Sequence, residues 1–173
     1  MNAVSTDRPI HISQGEFLVA GTGAKSITTI LGSCVACCLY DENAQVGGMN
    51  HFLLPNTTGS TFQAASFGVN AMELLINELI KHGAKRSDLR AKLFGGARMV
   101  NGLSDIGLKN SEFSIAFLAK ERITCVSQSL GGSQARRVEF WPDTGRARQK
   151  MLGNAEVFER DVTPAPAREI ELF

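Results

Sequence analysis

The chain has 173 residues, of which 43% are hydrophobic and 20% charged, with a formal net charge of +1. That length and apolar share fit one compact domain with a core of its own. So even a charge balance supplies no field to hold nucleic acid or an anionic membrane surface. No apolar run approaches the ~20 residues that span a bilayer.

Residues 1–14 show no hydrophobic period and read as a flexible N-terminal arm, with His11 an exposed bystander. Residues 15–153 read as the domain proper. Glu16 to Ala20 is a short strand, and Gly21-Thr22-Gly23 a turn. Ser26 to Leu31 is a second strand, rich in β-branched residues. Val35 to Tyr40 and Val46 to Leu54 form a hairpin about Asp41-Glu42-Asn43. Pro55 and the polar run Asn56-Thr57-Thr58-Gly59-Ser60 end it. A helix is predicted over 61–81, where Val69, Met72, Ile76 and Leu79 make an apolar stripe and Gly83 a left-handed stop. Ala91 to Phe94 is a short strand running into Gly95-Gly96-Ala97. A second helix starts near Asn110 or Ser111, either of which can cap it, with Phe113, Ala116 and Phe117 on its inner face. Ile123 to Ser129 is a strand closed by Gly131-Gly132. Arg137 to Trp141 and Arg146 to Met151 flank the turn Pro142-Asp143-Thr144-Gly145. Residues 154–173 carry two prolines and mixed charge, and read as a loosely packed C-terminal tail. The expected fold is α+β or mixed α/β: a single-domain layered sandwich around a largely antiparallel sheet system, with two main helices.

Two side chains in this order can do chemistry together. Cys34 follows Gly32-Ser33 at a break between two strands. A glycine there permits a tight path and close approach of a ligand, and exposed N–H groups of such a turn can hold an oxyanion. His51 lies seventeen residues on, across the hairpin. A thiol beside an imidazole can form a thiolate–imidazolium pair, a nucleophile at neutral pH. Residue type alone favours a buried structural cysteine; position at the strand break is what singles Cys34 out. Cys37, Cys38 and Cys125 read as core. With Cys34 the first two write C-x-x-C-C, but a zinc site takes about four ligands and no second pair or histidine pair completes one, so no metal and no other cofactor is expected. The first 30 residues contain no basic-then-apolar segment, which fits a reduced cytoplasmic protein with free thiols. Thr28 or Thr29 could orient the imidazole, and neighbours in a strand face opposite ways, so only one of them can. His82, beside Gly83, reads as a helix-end residue. The two glycine pairs lack any nucleotide fingerprint. The Arg136, Arg137, Arg146, Arg148 and Lys150 set reads as a solvated edge.

The ordered set Leu31-Gly32-Ser33-Cys34-Val35, Val46-Gly47-Gly48-Met49-Asn50-His51, Leu54-Pro55, Ala91-Lys92-Leu93-Phe94-Gly95-Gly96-Ala97, Asp105-Ile106-Gly107 and Leu130-Gly131-Gly132 before Arg136-Arg137-Val138 resembles the CheD family of chemoreceptor glutamine deamidases. The likeness runs from about Gly15 to Met151. Ser133 and Ser129 depart from residues frequent in the family, Asn and an acidic residue respectively. The resemblance implies Cys34 as nucleophile, His51 as base and Thr28 as third member, with Gly32 and Ser33 in the turn. It implies an α/β sandwich similar in its core to bacterial glutamine-deamidating toxins. It also implies hydrolysis of glutamine side chains to glutamate on methyl-accepting chemoreceptors, through a thioester and with release of ammonia. The implied partners are the cytoplasmic helical domain of those receptors and a CheC-type phosphatase. Other readings of the same residues are a non-enzymatic chemotaxis regulator, or a thiol methylesterase or protease using the same pair.

Overall fold

The computed structural model describes residues 8–55, 61–99, 105–153 and 170–173. The predicted polar loop over 56–60, the start of the arm and most of the tail lie outside them. The strands are β1 (Ile10–His11), β2 (Phe17–Ala20), β3 (Ile27–Leu31), β4 (Val35–Asp41), β5 (Val46–Asn50), β6 (Arg90–Gly95), β7 (Thr124–Leu130), β8 (Arg136–Phe140), β9 (Ala147–Met151) and β10 (Ile170–Leu172), with helices α1 (Thr61–Lys81) and α2 (Ile106–Lys120). They build two five-stranded sheets, in the orders β1-β3-β8-β9-β10 and β2-β5-β4-β6-β7. Pairing is antiparallel except between β1 and β3 and between β6 and β7. Both helices contact the second sheet, so the order of layers is helices, second sheet, first sheet. This is the expected layered α+β architecture.

Strand β4 shows why the layers hold. Every one of its residues is buried, because side chains alternate in direction and both of its faces are covered. Val35, Cys37 and Leu39 pack with Met72, Leu75, Ile76 and Leu79 of α1 and with Phe117 and Leu118 of α2. Cys34, Ala36, Cys38 and Tyr40 pack with Ile27, Leu31, Val138, Phe140 and Ala147 of the first sheet. Such double coverage gives a near-continuous apolar run rather than an alternating one. Cys37 and Cys38 are core residues, as expected, and Cys125 is half-buried.

Helix α1 has the predicted bounds, but its buried stripe is Met72, Leu75, Ile76 and Leu79, and Val69 is exposed. Helix α2 starts four or five residues earlier than expected. Asp105 caps it by accepting from Leu108 N–H at 2.9 Å, which frees Asn110 for another task. Two further expectations change. The stretch read as a loose arm is built into the first sheet from β1 onward, with Ile12 buried. At the other end, β10 pairs with β9, and Phe173 stacks edge-on to Phe94. The arginine set is only in part the solvated edge expected: Arg137 and Arg146 are exposed and Arg148 and Lys150 half-buried, but the strand is no edge and Arg136 is not solvated. β8 lies in the middle of its sheet, and Arg136 is buried, donating to the carbonyls of Ser129 and Gly131. Among the described residues no helix is long and apolar enough to cross a membrane.

Candidate active site

The loop 32–34 joins β3 to β4, and so passes from one sheet to the other. Its carbonyl groups are all tied down. Gly32 O accepts from Ala97 N–H at 2.9 Å, Ser33 O from Asn110 Nδ2 at 2.8 Å, and Cys34 O from Gly96 N–H at 2.8 Å. Gly95 lies against the Cys34 carbonyl with φ of 109°, and a Cβ there would collide with that oxygen. Only glycine meets both demands. The Gly95-Gly96-Ala97 turn, without a nucleotide motif, is therefore the brace of the cysteine loop. Asn110, inside α2 and fully buried, also accepts from Leu54 N–H at 3.0 Å, so one side chain pins both the loop before β4 and the chain after β5.

Backbone bonds between Val35 and Phe52 extend the β4–β5 ladder past the hairpin. In that register Cys34 and His51 are diagonal neighbours on the face toward the first sheet. Burial raises the Cys34 thiol to about 11, although its own backbone N–H pulls the other way. Burial, with a smaller contribution from His11, lowers the His51 imidazole to about 4 against the opposing pull of Glu16. Thiol and imidazole are thus both neutral at pH 7 in the resting site, and no ion pair is stored there.

The hydroxyl on the imidazole belongs to Thr29, not to Thr28. Thr29 Oγ1 lies 2.7 Å from His51 Nδ1, whereas Thr28, on the opposite face of β3, donates to Val138 O at 2.8 Å. The strand alternates with Ile27, Thr29 and Leu31 inward, so the residue that shares the apolar face also shares the imidazole. Thr29 Oγ1 also contacts Ile12 O at 2.7 Å. A carbonyl can only accept, so the single hydroxyl proton goes to Ile12 O. The hydroxyl oxygen must then accept from Nδ1–H, which fixes the tautomer with Nε2 bare. Nε2 is buried and has no hydrogen-bond partner among the described residues. The arm contributes here again, through the Ile12 carbonyl. Cys34 Sγ contacts Gln14 Oε1 at 3.8 Å. Sequence reasoning did not reach Thr29 over Thr28, nor Asn110, Gln14 or the role of the glycine pair. Among the described residues no cluster of His, Cys, Asp or Glu could hold a metal ion.

Fold and site together define a layered α/β protein with a cysteine, an imidazole whose tautomer is fixed, and an orienting hydroxyl, an arrangement suited to thiol-based acyl transfer. Residues 53–151 match the model of the family described as CheD chemotactic sensory transduction. The chain is 49% identical to a protein of Acidiphilium cryptum over 96% of this chain and 94% of the relative. It is 49% identical to one of Agrobacterium fabrum over 95% and 96%, and 45% identical to one of Rhizobium meliloti over the whole of both. Each of these is named "Probable chemoreceptor glutamine deamidase CheD". The chain belongs to the CheD family. The solved structure of a Bacillus licheniformis hypothetical protein, YfiH, is similar over 73% of this chain and 59% of its own at a TM-score of 0.44 and 13% identity, too remote to carry an argument.

Proposed function

We propose that this protein hydrolyses selected glutamine side chains of methyl-accepting chemoreceptors to glutamate, with Cys34 as nucleophile and His51 as base. The observation that carries the reading is the bare, buried Nε2 of His51, its tautomer fixed by Thr29, diagonal to Cys34 in a member of this family. The neutral pair implies that the thiolate forms as it attacks. Sγ–H passes to Nε2 while sulfur bonds to the amide carbon, and the carbonyl oxygen becomes an oxyanion. The Cys34 backbone N–H, with those of the Gly32-Ser33 turn, would hold that oxygen. Collapse expels ammonia with the proton from Nε2, leaving a thioester. Water, losing a proton to Nε2, then releases glutamate and restores the thiol. Thr29 keeps the imidazole in register throughout, the role that the family resemblance gave to Thr28.

The substrate would be the cytoplasmic helical domain of the receptor, so the reaction belongs in the cytoplasm, and a CheC-type phosphatase would compete for the same face. The test is mass spectrometry of a purified receptor cytoplasmic fragment after incubation with the protein. Glutamine-to-glutamate conversion with ammonia release is expected from the wild type and not from a folded Cys34→Ala. Conversion by Cys34→Ala, or none by the wild type on any receptor of its own cell, overturns the reading.

A further inference from the structure

Gln14 sits in the turn 13–16, which is fastened to His51 itself. Gly15 N–H donates to His51 O at 2.7 Å, and His51 N–H donates to Glu16 O at 3.1 Å. The turn is closed internally by Glu16 N–H on Ser13 O at 3.0 Å and by Ser13 N–H on Glu16 Oε1 at 2.8 Å. From this fixed base the Gln14 side chain ends at the nucleophile, where Cys34 Sγ–H donates to Oε1. Meanwhile Nε2 of His51, the acceptor that the thiol proton must find, has no partner among the described residues. The thiol proton is aimed at a glutamine carboxamide and not at the base. That carboxamide is the group on which a glutamine deamidase acts.

We propose that Gln14 is an internal stand-in for the substrate glutamine: its carboxamide rests at Cys34, holds the thiol away from His51 Nε2, and is displaced by the incoming side-chain amide. The inference rests on the deamidase reading and adds to it a competitor supplied by the chain itself. A tethered group competes at high effective concentration. A single hydrogen bond to sulfur is weak, so displacement by a docked substrate is easy. Gln14 is not itself consumed in this arrangement. Its oxygen faces the sulfur and its amide carbon lies beyond that oxygen, whereas attack needs sulfur and carbon about 3–3.5 Å apart.

Wild type, Gln14→Ala and Gln14→Glu are compared in two measurements: the rate of Cys34 alkylation by iodoacetamide at neutral pH, and kcat and KM on the receptor fragment. Gln14 is exposed, and circular dichroism checks that each variant is folded. Gln14→Ala should alkylate about 2- to 5-fold faster, the equivalent of one lost weak hydrogen bond to sulfur, and KM should fall by a similar factor with kcat unchanged. Gln14→Glu keeps the length but sets a carboxylate beside the sulfur, which disfavours the thiolate, so it should alkylate more slowly than Gln14→Ala. A Gln14→Ala protein that alkylates no faster than wild type, or whose KM rises, overturns the proposal. Alkylation needs no receptor. If the fragment is never deamidated while Gln14→Ala still accelerates alkylation, the deamidase reading fails and the gating of Cys34 by Gln14 stands.

Discussion

Thr29 decides which nitrogen of His51 can take a proton, and it does so because Ile12 O leaves its hydroxyl proton no other destination. Thr29→Val should therefore lower the deamidation rate about 5- to 150-fold, the rate equivalent of the ~1–3 kcal/mol that an unpaired buried polar group costs. Thr29→Ser should retain most of the activity, since the hydroxyl remains. Thr28→Val should be near wild type, because that hydroxyl serves Val138 O on the far face. Kinetics of the three variants on a receptor fragment decide the matter, and a larger defect in Thr28→Val would sink the assignment. Cys34 makes a second case. With its thiol raised to about 11, alkylation by iodoacetamide should climb continuously from pH 7 through pH 9, as the thiolate fraction does. A plateau already reached near pH 7 would mean a stored ion pair. Cys34 should also label ahead of Cys37 and Cys38, which are wholly buried and whose thiols burial pushes up further.

At the level of elements, the site hangs on contacts made by α2 and by the turn after β6. Asn110→Ala would leave Ser33 O and Leu54 N–H without their partner, at about 1–3 kcal/mol each where they stay dry. The expected outcome is a lower Tm together with a fall in kcat. Retention of full kcat would show that the loop 32–34 keeps its shape without this clamp. The same residue shows how far sequence could lead. Strand and helix order was legible, because turns and apolar periods are local signals. The placing of Cys34 and His51 on adjoining strands was legible, because a glycine-bounded strand break and a hairpin can be read along the chain. The start of α2 was misread because Asn110 is a good cap residue, and nothing local says that its amide is needed 77 positions away. Thr28 against Thr29 was undecidable from Ile27-Thr28-Thr29-Ile30-Leu31, since each face of that strand carries a threonine and an isoleucine. The contribution of the arm was hidden for a related reason: two residues of parallel pairing in β1 leave no hydrophobic period to detect.

Across the whole molecule, the site titrates with the fold, because His51 lies between the two sheets and can be charged only at the expense of that packing. Its imidazole falls from an ordinary 6.5 to about 4 in the folded protein. Between those values the unfolded chain binds a proton that the folded one refuses, so stability must rise with pH through that window and be lost as pH falls from 6.5 toward 4. A shift of this size corresponds to roughly 3 kcal/mol, for a side chain that is only 6% exposed. The neutral Nε2 makes no bond that a neutral replacement would lose, while Nδ1–H donates to Thr29. His51→Gln can keep that donor and cannot titrate. Urea unfolding of wild type and His51→Gln at pH 7 and pH 5 isolates the effect. The wild type should lose more stability than the variant over that interval, with the m-value unchanged. Equal losses in the two proteins would place the acid sensitivity elsewhere, and would mean that the imidazole is solvated enough to accept its proton in place. The same measurement bears on the proposed chemistry: an imidazole that stays neutral down to about pH 4 is free to accept a proton at pH 7.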